Sequence, residues 1–274
     1  MANSVNSNIG ATIALQSINR TNSELASVQK RVSTGYRVSD AKDDGAAFAV
    51  AQGLRADVKG NEAVNERLSV AKGLLSVTQE GLKGISDSVG EIRKVMVKLA
   101  DANLSSDERT QYNADYTALR GDITKYIAQS AFGGKNLIST AATDLAIISD
   151  SSGGTITLQE TDVEAALGTL AAVDTSSAST AATAVGAAGA LNTFEGVVGT
   201  ALARVGANSR SVENQDAFIK VLSDTVTDGI GAIVDADLAK ESAKLQALQI
   251  RQQLGTQTLS IANQSPSALL SLFK

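Results

Sequence analysis

The chain contains no cysteine, no histidine and no tryptophan, and its one proline is Pro266. Without thiols there is no disulfide. Without thiols or imidazoles the usual zinc sites, Cys–His dyads and Ser–His–Asp triads are excluded. Average usage would place about fourteen prolines in a chain of this length, so little interrupts helices before the last nine residues. Aromatics are scarce, four Tyr and five Phe, which argues against a bulky core. No apolar run approaches the ~18 residues of a membrane span. Basic residues are outnumbered 24 to 29, for a net charge of -5 and a pI near 4.9. That balance argues against nucleic acid, whose phosphates require clustered Lys and Arg. The opening Met1-Ala2-Asn3-Ser4-Val5-Asn6 has neither a basic start nor an apolar stretch, so no conventional signal peptide is expected.

What is present is alanine and a period. Alanine occurs 43 times in 274 residues, which favours thin helices that approach closely. Alternating steps of three and four from Ala47 reach Val50, Leu54, Asp57, Asn61, Val64, Leu68, Ala71, Leu75, Thr78, Leu82, Ile85, Val89, Ile92, Met96 and Leu99. Only three of these positions are polar, so the run is a sustained heptad seam. A second seam passes through Leu191, Phe194, Val198, Ala201, Val205, Asn208, Val212, Gln215, Ile219, Leu222, Val226, Gly229 and Ile233, and its phase continues to Ile250, Leu254 and Ile261. A shorter one links Tyr112, Tyr116, Leu119, Ile123 and Tyr126. A helix from Ala47 to Leu99 would be roughly 80 Å long, against a diameter of about 50 Å for a globule of this size. The expected fold is therefore mainly α: an elongated rod of long antiparallel coiled-coil helices with a small β-hairpin region in the middle.

Local signals divide this rod. Ser105 followed by Glu108 predicts a capping box that opens a helix after a break at 101–104. Gly133-Gly134 predicts its end near Phe132. Leu145–Ile148 and Thr155–Leu158, separated by Asp150-Ser151-Ser152-Gly153-Gly154, predict a β-hairpin. The Ser, Thr, Ala and Gly of 174–189 read as a loop or a decorated surface. From Lys135 to Arg204 there is no intervening basic residue, while seven acids occur; this marks an acidic outer surface. The first 34 residues carry a weak seam, Ala11, Leu15, Ile18, Asn22, Leu25, Gln29 and Val32, and the C-terminal tail a matching stripe. Such marginal helices gain order by packing on a partner.

Several runs resemble bacterial flagellin. At the N-terminal side these are Val32-Ser33-Thr34-Gly35-Tyr36-Arg37-Val38, Ala41-Lys42-Asp43-Asp44-Gly45-Ala46-Ala47 and Ser76-Val77-Thr78-Gln79-Glu80-Gly81-Leu82. At the C-terminal side they are Arg204-Val205-Gly206-Ala207-Asn208, Ile233-Val234-Asp235-Ala236-Asp237-Leu238-Ala239-Lys240-Glu241 and Ile261-Ala262-Asn263-Gln264-Ser265-Pro266. The resemblance covers roughly the outer two-thirds of the chain and leaves 139–190 unmatched. It implies a self-assembling subunit of the extracellular flagellar filament, a helical homopolymer for motility. It also implies cap and hook-associated junction partners, an export chaperone, and export through the flagellar type III system without a cleaved signal peptide. It marks Gly35, Arg37, Asp43, Asp44, Asp235, Asp237, Glu241 and Asn263 as motif positions. The organisation it implies is 1–38 and 235–274 as two halves of an inner coiled-coil core, 39–138 and 191–234 as an outer rod, and 139–190 as a short variable hairpin and loop region. Glu91 stands where many enteric flagellins carry a basic residue, which implies weak activation of the vertebrate flagellin receptor.

The expected assembly interface is Leu15, Ile18, Leu25, Val32, Ile250, Leu254 and Ile261. Asp235, Asp237 and Glu241 lack the glycine turn and oxygen count of a calcium loop, so they read as caps; Asp40, Asp43 and Asp44 read as acids at a helix start. Polar seam positions such as Asn22, Gln29, Asn208 and Gln215 either fix register or face water or a channel. The sequons at Asn19, Asn103 and Asn263 lie in or beside helices needed for packing, and O-linked sugar on 174–190 stays open. No catalytic residue, cofactor or metal site is expected, and neither nucleic acid nor membrane as a partner. Two other readings remain, a hook–filament junction protein and a monomeric secreted helical adhesin or ligand.

Overall fold

The structure, a computed structural model, describes the backbone of residues 8–271 and the side chains of residues 8–264. Its elements in chain order are α1 (Ile9–Thr34), α2 (Gly45–Leu99), α3 (Ser106–Gln129), β1 (Ala131–Phe132), β2 (Lys135–Asn136), β3 (Leu145–Ile148), β4 (Thr155–Leu158), α4 (Val163–Ala171), α5 (Ala178–Val185), α6 (Ala190–Val234) and α7 (Leu238–Ser271). The described fold is mainly helical, with two antiparallel two-stranded hairpins, β1–β2 and β3–β4. The chain divides into two units. One is built from its two ends, up to Ala56 and from Thr225; the other is Asp57–Asp224. Both divisions fall inside a helix, α2 and α6.

In the central unit the two seams meet. Val64, Leu68, Ala71, Leu75, Leu82, Ile85, Val89, Ile92, Met96 and Leu99 of α2 are buried with Leu191, Phe194, Val198, Ala201, Val205, Val212 and Ile219 of α6. Two cross-helix ion pairs set the antiparallel register. Lys72 Nζ lies 3.1 Å from Asp216 Oδ2, and Arg93 grips Glu195 through both Nε, at 2.7 Å, and Nη2. Two polar seam positions of α2, Asn61 and Thr78, are as buried as their apolar neighbours. Thr78 Oγ1 is satisfied by its own helix, donating to Leu74 O at 2.8 Å.

Helix α3 opens at the expected capping box. Ser105 Oγ accepts from Glu108 N while the Glu108 carboxylate accepts from Ser105 N at 3.0 Å. Its end differs from expectation. The helix stops at Gln129, and Gly133-Gly134, both with positive φ, form the two-residue turn of β1–β2. Tandem glycines serve a hairpin as readily as a helix end, and the pairing of Ala131 with Asn136 decides between them. The β3–β4 hairpin forms with Leu145 opposite Leu158 and Ile148 opposite Thr155. It lies against α6, where Arg204 donates to Glu160 O and Gln215 Nε2 to Ser149 O, each at 2.7 Å.

The region after it corrects the sequence reading. Within 139–190, expected as hairpin and loop, two helices form, α4 and α5. Helix α5 occupies 178–185, where a loop was expected, and buries Ala181 and Ala184. Alanines three residues apart face one side of a helix, and their propensity needs no large apolar residue to sustain it. The second seam also shifts. Past Ile219 its expected member Leu222 is exposed, and Ile230 and Val234 are the buried positions instead of Gly229 and Ile233.

Candidate assembly site

The end unit pairs α1 with α7, antiparallel. Asn8, the N-cap of α1, accepts from Ala11 N and donates through Nδ2 to Ala262 O at 2.7 Å. Pro266 has no N–H to offer the carbonyl four residues back, so Asn8 supplies the hydrogen bond that this carbonyl lacks. Farther along, Gln252 Nε2 donates to Asn22 Oδ1 at 2.8 Å. Asn22 thus acts in register, while Gln29 is exposed. Ile18, Thr21 and Val28 of α1 and Leu248 of α7 are buried.

At the other end of this pair two turns clasp each other. Gly35 caps α1 with φ 74°, its N–H bonded to Arg31 O at 2.9 Å. This left-handed position strains any residue with a Cβ. Ala236 N donates to Gly35 O at 2.9 Å, Arg37 N to Val234 O at 2.7 Å, and Tyr36 pairs with Asp235 as an isolated antiparallel bridge. The Arg37 guanidinium also reaches Ile233 O. Acids then start the helices that leave the clasp. Asp44 Oδ1 accepts from Ala46 N and Ala47 N, and Asp237 Oδ1 from Ala239 N and Lys240 N, all at 3.0–3.1 Å. Asp43 accepts from Ser39 N and Oγ and from Lys30 Nζ, each at 3.0 Å. The Lys30 ammonium foremost, with the Ser39 bonds, holds this carboxyl well below the usual range. Glu241 reaches back to Arg31 of α1 at 3.4 Å.

Seven of the eight motif positions therefore meet in one clasp, each as a cap, a turn or a cross-helix bond. Asn263 lies apart, exposed near the opposite end of the pair. Of the seven interface positions, Ile18 is buried, and Leu25 and Val32 are half-buried between the two helices. Leu15, Ile250, Leu254 and Ile261 remain between 49% and 63% exposed, as do Ile9 and Ile13. The last two were not singled out from sequence; they lie four residues apart, on a side of α1 other than that of Leu15. Among the described residues, no group of three or more acids could hold a metal ion, and no helix is long and apolar enough to cross a membrane. Glu91 is exposed and paired within its helix to Lys94 at 2.7 Å.

Matches to known proteins cover the same halves. The family model of the bacterial flagellin N-terminal helical region matches residues 5–143, and that of the C-terminal helical region matches residues 196–273. The chain belongs to the flagellin family. It is 38% identical over 272 residues to flagellin FljM of Caulobacter vibrioides, covering 99% of both chains. It is 33% identical over 285 residues to a flagellin of Brucella melitensis, again covering 99% of each. Among solved structures it aligns with Bacillus cereus flagellin at 18% identity and a TM-score of 0.38, over 66% of this chain and 94% of that one. As a flagellin-family chain it is a structural subunit of the extracellular flagellar filament and not an enzyme. Its short length is shared with these near-equal relatives.

Proposed function

We propose that the α1–α7 pair is the element through which subunits polymerise. The observation that carries this is the stripe of Leu15, Ile250, Leu254 and Ile261, large apolar side chains that the two helices leave in solvent. Exposed apolar side chains in regular helical array mark a surface that another chain covers. Ile18, Leu25 and Val32 hold α1 on α7; the exposed four are then buried between copies. A thin amphipathic pair of this kind gains much of its order from that second burial, so the terminal helices become fully ordered on polymerisation. Residues 1–38 and 235–274 are then the two halves of the filament's inner core. Growth beneath a cap, attachment to hook-associated junction proteins, and delivery through the type III channel with a chaperone on the C-terminal segment follow from the family role.

The test uses the full chain with Ile250→Asp and Leu254→Asp together. Both sites are exposed in the single chain, so the monomer should keep its helical circular dichroism. Electron microscopy after seeding with sheared filaments should then show no elongation, while unaltered chain grows long tubes. Normal tubes from the variant would reject this interface, and monomers of unaltered chain under the same seeding would reject polymerisation itself.

A further inference from the structure

The two matched regions end at residue 143 and resume at 196, and helix α4 lies in the stretch between them. It is nevertheless part of the central core. Val163, Leu167 and Leu170, at spacings of four and three, form one apolar stripe, and all three are buried in the same cluster as the α2–α6 seam. A segment appended to a surface leaves its side chains in water; these are packed to between 0% and 6% exposure.

Both ends of α4 are tied. At its start Asp162 Oδ1 accepts from Ala165 N at 2.8 Å, as an N-cap does, and the Glu164 carboxylate accepts from Thr140 N and Oγ1 at 2.9 and 2.7 Å. At its end the side-chain donors come from α3. Tyr116 Oη donates to Leu170 O at 2.7 Å, a buried bond, and Arg120 Nη1 donates to Ala171 O at 3.3 Å. Leu170 O also takes Val173 N, at the longer 3.3 Å. Tyr116 and Arg120 are four residues apart, hence neighbours on one face of α3, and the guanidinium stands 5.2 Å from the centre of the Tyr116 ring. The last carbonyls of a helix lack partners within it and attract a cation, so both side chains suit the place they occupy.

We propose that α4 is a strap across α3 and that Tyr116 and Arg120 are its latch. Helix α3 is held separately by α2, where Tyr126 and the following Ser130 stand over Gly84 and Gly81. The α2–α6 seam keeps its own apolar stripe and its own ion pairs, Lys72–Asp216 and Arg93–Glu195. Releasing the latch therefore loosens α4 and the turns of α3 that it covers, and leaves the seam closed. Such local opening exposes one contiguous unit without global unfolding. A stretch outside the two matched regions thus sets how firmly α3, inside one of them, is held. The inference concerns the single chain and does not rest on polymerisation.

Amide hydrogen exchange of the full chain as a dilute monomer, read by mass spectrometry, tests this. In the unaltered chain the amides of 166–171 should exchange at least about a hundredfold more slowly than in an unstructured peptide. Tyr116→Phe keeps the ring and removes only the hydroxyl. It should speed exchange in 166–171 about fivefold, the worth of one buried hydrogen bond, while 198–205 of α6 is unchanged. Arg120→Met should act in the same direction. Tyr112→Phe, on the same helix but outside the latch, should change neither segment. Exchange in 166–171 of the unaltered chain near the rate of an unstructured peptide would make α4 a loose appendage and overturn the strap. Unchanged rates in the Tyr116→Phe chain, or equal acceleration in 166–171 and 198–205, overturn the latch.

Discussion

Asp216 is a carboxylate with 7% of its side chain exposed, held between ammonium groups of two helices. The bond from Lys220 lowers its pKa most, Lys72 adds to this, and burial opposes both. Asp43 is lowered likewise by Lys30 and Ser39. A carboxyl whose folded pKa lies below its unfolded value stabilises the fold above that unfolded value, about 3.9 for Asp. The stabilisation is lost as pH falls through the lower folded value. No side chain has an ordinary pKa between 5 and 8, since histidine is absent. Monomer melting temperature should therefore be flat from about pH 5 to 8 and fall below about pH 4; thermal scans at a series of pH values check both. At Asp237 the expectation is a lost cap. Asp237→Ala should destabilise the end unit by about 1 kcal/mol, measured by urea unfolding, with Asp237→Asn close to neutral.

At the scale of elements, the seam of α2 and α6 carries the central unit. Leu82 is fully buried in it, and Leu82→Ala should cost about 2–5 kcal/mol in denaturant unfolding. Helix α3 comes close to α2 at Gly81, where an added Cβ would stand 1.8 Å from Ser130 Oγ and 3.0 Å from Ser130 Cβ. Gly81→Ala should lower the melting temperature although alanine is the better helix former, because overpacking costs about 1–3 kcal/mol against a propensity gain of about 1. Much at this scale was legible from sequence. Ser105 and Glu108 named the start of α3 because a capping box is made of residues three apart. The strands of β3–β4 were named by β-branched and aliphatic runs around a Gly-Gly turn. Helix α5 was not, since a Ser/Thr/Ala/Gly segment has no apolar period until Ala181 and Ala184 find something to pack on. Glycines 133 and 134 likewise fit two local structures, and only the partner strand selects one.

For the whole molecule, charge distribution sets how assembly responds to salt. No charged side chain occurs in residues 1–19 or 252–273, the stretches that include the exposed Ile9, Ile13, Leu15, Leu254 and Ile261. Contacts between such surfaces lack a Coulomb component for ions to screen. The critical concentration for polymerisation should then change by less than about threefold between 0.05 and 0.5 M salt, across which the Debye length falls from roughly 14 to 4 Å. Sedimentation of polymer at a series of salt concentrations reads this directly. A steep rise with salt would place the dominant contacts among the charged residues of the central unit instead.

Sequence alone determined the helical class, the two long seams, the β3–β4 hairpin, the family, and the acids that start α2 and α7. Each is written in short-range spacing or in a contiguous motif, and local spacing is what a one-dimensional pattern preserves. The tertiary structure decided which seam residues are buried. Leu15 and Ile18 share one weak period, yet Ile18 is 8% exposed and Leu15 49%, because α7 covers only part of the stripe. It decided that Gly35, Arg37, Asp235 and Asp237, some two hundred positions apart in the chain, meet in one clasp. It also left Phe218, Val221 and Leu222 outside. The second seam counts Leu222 as a core position, but α2 reaches one face of α6 only, and no heptad count reveals how many faces a helix will have covered.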